Sequence, residues 1–142
     1  MSRLVVVTTG PATSVQDAGR FGAQRYGLTT SGAMDRVSLA MANSLAGNAP
    51  FAAAIEIGPF GASFIARHGA VRIALSGAAR AADIAGSPLL LNETGLIAEG
   101  ETLKLGAARN GMFSYLAIEG GIEGEPVFGS LSVNARADLG SP

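Results

Sequence analysis

Residues Thr13 to Asp35 read TSVQDAGRFGAQRYGLTTSGAMD and gather two aspartates, two arginines, two glutamines and four glycines. The planar guanidinium of Arg20 or Arg25 suits a substrate carboxylate or phosphate, which it can grip with two parallel hydrogen bonds. Asp17 could instead pair with Arg20 and fix the turn, or accept a proton; the residues alone leave these readings open. Asp35 is placed either to cap a helix or to act as a general base at a pocket edge. Ser31 and the amides near Gly32 stand where a helix N-terminus favours an anion. Gly19, Gly22, Gly27 and Gly32 allow unusual backbone angles and a close ligand approach.

Such groups need elements to hold them. Leu4 to Val7 is an apolar run rich in β-branched residues and reads as a first strand, stopped by Gly10-Pro11. The motif follows as a long loop, and long ordered loops are usually functional. A helix is expected over residues 35–46, because Met34, Val37, Met41 and Leu45 fall on one stripe at helical spacing. Asp35 is its cap, and Gly47-Asn48 its stop. Short strands are expected at 54–57, 62–66, 71–75, 89–91, 96–98, 102–105 and 113–119, each bounded by turn residues. Residues 78–85 have helical propensity but read as strand or loop. The pattern predicts a mainly β barrel or sandwich with one clear helix.

Composition narrows the function classes. The 142 residues suit a single domain with its own core, and the 20 glycines, about twice the usual share, suit many tight turns. Net charge is −1 with scattered cations, so no nucleic-acid partner is expected. Without cysteine there is no disulfide or thiolate metal site, and a single histidine excludes a multi-histidine zinc site in this chain. No apolar stretch approaches a membrane span or a signal-peptide core, so no membrane partner and a cytoplasmic location are expected.

Other polar residues are read individually. Glu56 alternates with Ile55 and Ile57, so it faces solvent if the isoleucines face the core; a pocket-facing Glu56 is the less common alternative. Asn43 and Asn48 flank the helix end and read as structural. His68, in ARHGA, reads as an exposed turn residue, and Gly120-Gly121 as a tight turn. No Walker A, GxGxxG or GxSxG pattern occurs.

The motif at 13–35, followed by the AN and LAGN fragments within 42–48, IEIG at 55–58, YLAIEGGI at 115–122 and GSLSVNARADLG near the end, resembles the allophanate hydrolase subunit 2 family. That family includes the C subunit of the ATP-dependent bacterial 5-oxoprolinase and the carboxyltransferase part of biotin-dependent urea carboxylase. The resemblance implies a cyclophilin-like β-barrel. It implies either a partner role beside 5-oxoprolinase subunits A and B, opening 5-oxo-L-proline to L-glutamate, or transfer of a carboxyl group from carboxybiotin to urea. ATP is then used by the complex, and biotin enters only with the carboxyltransferase alternative. A third alternative is a non-catalytic binding protein acting on a kinase inhibitor.

Carried over by the resemblance, Gln16, Arg20, Gln24, Ser31, Gly32 and Glu56 are substrate-binding candidates, and Asp17 and Asp35 catalytic ones. The sequence departs from the family pattern at Ala23, Leu28-Thr29, Leu131 and Val133, and at Ser114, where an arginine is usual. The resemblance further implies that 1–142 is one domain, the N-terminal half of a longer fold. It is then expected to need its second half or to self-associate, and to be inactive alone.

Overall fold

The computed structural model describes residues 2–10, 12–17 and 33–122. Ten strands and one helix follow in the order β1 (Arg3–Thr9), β2 (Ser14–Gln16), α1 (Arg36–Leu45), β3 (Ala54–Ile57), β4 (Ala62–Arg67), β5 (Val71–Gly77), β6 (Arg80–Ile84), β7 (Ser87–Pro88), β8 (Glu93–Ile97), β9 (Thr102–Ala108) and β10 (Ser114–Ile118). Every strand pairing among them is antiparallel. The first sheet runs β1-β4-β9-β6-β7 and the second β2-β3-β10-β5-β8.

Among the described residues, the mainly β expectation with one helix therefore holds. The strands form two separate five-stranded sheets, however, rather than one closed barrel.

The period of two in the strands sorts the side chains. Ile57, Ile73, Leu75, Ile97 and Leu116 from the second sheet meet Phe64, Leu103 and Leu105 from the first, and this is the main core. Burying each of these side chains stabilises the fold by roughly 1.5–3 kcal/mol. The intervening residues Ala54, Ala74, Tyr115 and Ala117 face the other way and pack against Leu39, Ala42 and Ala46 in a second core beneath α1. Small alanines on that face let the helix lie close to the sheet.

The helix occupies its expected range, but three of the four residues of its expected apolar stripe face outward, and only Leu45 packs, half-buried, against the second core. Met34, Val37 and Met41 are exposed, at 74, 78 and 45 %, while the buried face is Leu39, Ala42 and Asn43. Periodicity alone gives two apolar stripes, and the alanine-lined sheet accepts the smaller one. Gly47 stops the helix at φ +80°, the left-handed conformation that favours glycine.

Most strands lie within a residue or two of expectation. The strand expected at 96–98 starts earlier, as Glu93–Ile97, the one expected at 102–105 runs on to Ala108, and the other departures follow from pairing across the fold. Residues 14–16, expected in the loop, form β2 because Val15 pairs with Ile55. Residues 80–84 form β6 against β9, in keeping with the reading of 78–85 as strand or loop despite its helical propensity. The strand expected at 89–91 is displaced to Ser87–Pro88, an edge strand where proline costs no ladder bond.

One polar side chain ties the two sheets together. Arg80, buried on β6, donates from Nε to Ser114 Oγ at 2.8 Å and from Nη1 to the carbonyls of Gly58 at 2.9 Å and Gly106 at 3.1 Å. Its Nη2 donates to the carbonyls of Ile57 at 3.3 Å and Met112 at 3.4 Å. Burial pulls this guanidinium below the usual arginine range. Gly77 permits the approach of β10: at φ +109°, a Cβ there would lie 2.7 Å from the Phe113 carbonyl oxygen.

Candidate functional site

The second sheet's outer face brings residues far apart in sequence to the start of α1. On β3 and β10, Glu56 and Tyr115 are register partners, and the Tyr115 hydroxyl donates to Glu56 Oε2 at 2.6 Å. Ser14 on β2 pairs with Glu56 from the other side. The same Glu56 oxygen accepts the backbone N–H of Met34 at 2.9 Å, and the Tyr115 oxygen accepts that of Asp35 at 2.9 Å. Two strands thus hold the chain entering the helix by its main-chain amides. Their donors would otherwise be left without partners beside the sheet.

The motif's two ends also meet. The Ala33 N–H donates to the Asp17 carbonyl at 2.9 Å, and Thr13 Oγ1 accepts the Gly58 N–H at 2.9 Å. Asp17 and Gln16 are both buried, at 8 % exposure. Gln16 Nε2 donates to Ser14 Oγ at 2.9 Å.

Asp35 has the helix-capping geometry its position predicts. Its Oδ1 accepts the Ser38 N–H at 3.0 Å, and its Oδ2 accepts the Ser38 hydroxyl at 2.6 Å. The bonds from the Ser38 hydroxyl and amide hold its carboxyl below the usual carboxylate range. Tyr115 is shifted the other way: burial first, and then the bond to Glu56, push its phenol well above the ordinary tyrosine range. At neutral pH it is a neutral donor held in place.

Among the sequence-predicted residues, Gln16, Asp17, Asp35 and Glu56 thus belong to one region around the helix start. Arg20, Gln24, Ser31 and Gly32 lie outside the described residues, as does the suggested Asp17–Arg20 pair. Glu56 does not face solvent, as the commoner case had it. It points away from the isoleucine core as alternation requires, but the helix entry covers that face and leaves it 5 % exposed.

Asn43 and Asn48 are structural. Asn43 donates to the carbonyls of Pro50 and Ala52, and Asn48 joins the Ile118 carbonyl to the Gly120 amide. His68 is an exposed turn residue at φ +61°.

Tyr115 is the residue that sequence reasoning left out of the site. Its available signal was a tyrosine within the strongest apolar strand, where a buried hydroxyl requires a partner. Ser114, where the family pattern has an arginine, receives the Arg80 guanidinium instead.

Two open cavities lie elsewhere. One, of about 680 Å³, is bounded by Arg3, Leu4, Arg72 and Glu119; the other, of about 460 Å³, by Thr9, Phe60 and Lys104. Neither contains a sequence-predicted site residue. Among the described residues, no three metal-ligating side chains come together, and no helix is long and apolar enough to cross a membrane.

Residues 26–142 match the family described as carboxyltransferase domain, subdomain A and B. The chain belongs to that family. The C subunit of 5-oxoprolinase from Escherichia coli is 34 % identical over 137 residues, a match covering 96 % of this chain and 44 % of that protein. The urea amidolyase of Lachancea kluyveri is 36 % identical over 136 residues, covering 95 % of this chain and 7 % of that protein. Among solved structures, TTHA0988 superposes with a TM-score of 0.93 at 32 % identity, covering all of this chain and 29 % of that one. The chain spans less than half the length of the 5-oxoprolinase subunits it matches.

Proposed function

We propose that this carboxyltransferase-family chain contributes to an ATP-dependent 5-oxoprolinase, opening the lactam of 5-oxo-L-proline to L-glutamate together with subunits A and B. The observation that carries this reading is its similarity, over 89 and 96 % of its length, to the C subunits of two 5-oxoprolinases. In this reading, the region at the start of α1 is the chain's part of the substrate site. Arg20 would bind the substrate carboxylate, with Asp17 beside it. Glu56 and Tyr115 would act on the substrate indirectly, by fixing where the motif re-enters the fold.

A second reading, carboxyl transfer from carboxybiotin to urea, is favoured by the similarity to urea amidolyase. The two readings differ at the substrate: lactam opening attacks the substrate's carbonyl carbon and breaks its bond to nitrogen, whereas in carboxyl transfer a urea nitrogen takes up the carboxyl group as its bond to the biotin nitrogen breaks. In the first reading ATP is used by the complex as a whole.

Reconstitution tests the choice. The chain is purified and assayed alone, with subunits A and B, and with the remainder of the longer relatives' fold added. ATP-dependent glutamate release from 5-oxoproline only in the complete mixture is the expected result. Carboxyl transfer to urea without glutamate release would move the assignment to the second reading. Release by the isolated monomer would remove the need for partners.

A further inference from the structure

The larger open cavity, of about 680 Å³, lies by the start of β1, the start of β5 and the end of β10. Its floor is apolar. Leu4, Val71 and Ile118 line it, and the same three side chains pack in or against the main core, so the cavity is a notch in the margin of that core. Ile122 adds a fourth apolar residue to the lining. Its rim is charged. Arg3, Arg72 and Glu119 are exposed there, and Arg72 Nε lies 3.2 Å from Glu119 Oε2. That pair leaves the charge of Arg3 uncompensated. Arg3 also faces Arg67 across the β1–β4 pair, and neither has a carboxylate within ion-pair distance among the described residues. Like charges directly opposite on two strands are destabilising, and a nearby anion relieves the repulsion.

The wall that follows β10 is held by its own main chain. The Glu119 amide donates to the Arg72 carbonyl at 2.9 Å, the Gly120 amide to Asn48 Oδ1 at 3.1 Å, and the Gly121 amide to the Ile118 carbonyl at 2.8 Å. A preformed concavity of this size, apolar inside with a few polar groups at its mouth, is the usual form of a small-molecule site. The unpaired cation narrows the class of ligand. A guanidinium grips a carboxylate with two parallel hydrogen bonds. A hydrocarbon body over Leu4, Val71 and Ile118 removes apolar surface from water. A wholly polar anion would leave that floor uncovered, and a neutral hydrocarbon would leave Arg3 unpaired.

We propose that this cavity binds an organic acid with a short hydrocarbon body, its carboxylate on Arg3 and its apolar part on the floor. The site shares no residue with the region at the start of α1. It does not depend on the choice between lactam opening and carboxyl transfer.

Octanoate is the probe, titrated into the chain by calorimetry, with octan-1-ol and acetate for comparison. The alcohol lacks the charge and acetate lacks the hydrocarbon body. One octanoate should bind per chain, about tenfold or more tighter than either. Two substitutions at exposed positions locate the site. Arg3→Met should lower octanoate affinity about tenfold and leave that of octan-1-ol unchanged. Ala70→Trp, at an exposed residue of the lining, should fill the cavity and abolish octanoate binding. The comparison of the three ligands in the wild type is decisive even where a variant fails to fold.

Octan-1-ol or acetate binding as tightly as octanoate, several weak sites in place of one, or an octanoate affinity unchanged in both variants would each overturn the proposal. So would a lack of octanoate binding. Light scattering would then identify a second copy as the occupant if the mass exceeds one chain in the wild type and falls to one chain in Ala70→Trp.

Discussion

Tyr115 and Glu56, 59 residues apart, share a 2.6 Å hydrogen bond across the β10–β3 pair, and together they accept the amides of Met34 and Asp35. A sheet therefore sets where α1 begins, and with it the end of the family motif. Tyr115→Phe keeps the ring in its alanine-lined pocket but removes the hydroxyl. It leaves the Asp35 amide without its acceptor and Glu56 without one donor. The expected loss is about 1–3 kcal/mol in a chemical denaturation series, with faster amide exchange at Met34 and Asp35. Unchanged exchange there would show that the pair does not hold the helix entry.

The same tyrosine gives an alkaline signature. Its pKa is raised by burial and by Glu56. The neutral phenol is therefore favoured by folding, and its contribution is fully present below the unfolded value. That contribution is lost as pH rises through the higher folded value. Stability measured from pH 8 upward should fall in the wild type above about pH 10, the ordinary tyrosine value, and fall less steeply in Tyr115→Phe. Parallel curves would contradict this.

Asp35 gives the opposite, acidic signature. Its depressed pKa means that the cap contributes above the unfolded carboxylate value, near 3.8, and is lost as pH falls through the lower folded value. The group is largely exposed, so solvent screens its charge and the effect is small. Asp35→Asn keeps a capping oxygen but cannot titrate. The stability gap between wild type and variant should narrow as pH drops from 7 to 3.

Arg80 is expected to be the most sensitive polar position in the fold. Arg80→Met removes five hydrogen bonds and leaves Gly58, Gly106, Ile57 and Met112 carbonyls short of a donor at the joint of the two sheets. A loss of about 3–5 kcal/mol is expected, read from the shift in denaturation midpoint. A near-neutral result would mean that the sheets are held by their apolar core alone.

The helix faces can be separated by two substitutions. Val37→Lys, on the exposed stripe, should change stability by less than about 0.5 kcal/mol. Leu39→Ala, on the buried one, should cost about 2–5 kcal/mol through the cavity it leaves. The reverse ranking in thermal melts would restore the stripe suggested by periodicity.

Local chemistry in the sequence determined the helix cap at Asp35, its stop at Gly47, the short strands and their turns, and the motif that marks the family. The cap, the stop, the strands and the turns each depend on residues within one turn or one strand, where backbone preference and hydrogen bonding act over a few positions. The tertiary structure decided which helix stripe is buried, because that depends on the surface opposite: alanines on the second sheet admit Leu39 and Ala42 and leave Met34, Val37 and Met41 outside. It also decided the surroundings of Glu56. Alternation correctly turned it from the isoleucine core, but only the folded chain covers that second face with the helix entry and supplies the Tyr115 hydroxyl. The joining of β6 to β10 through Arg80 and Ser114 spans 34 residues, and a bond between side chains so distant in sequence leaves no periodic trace in it.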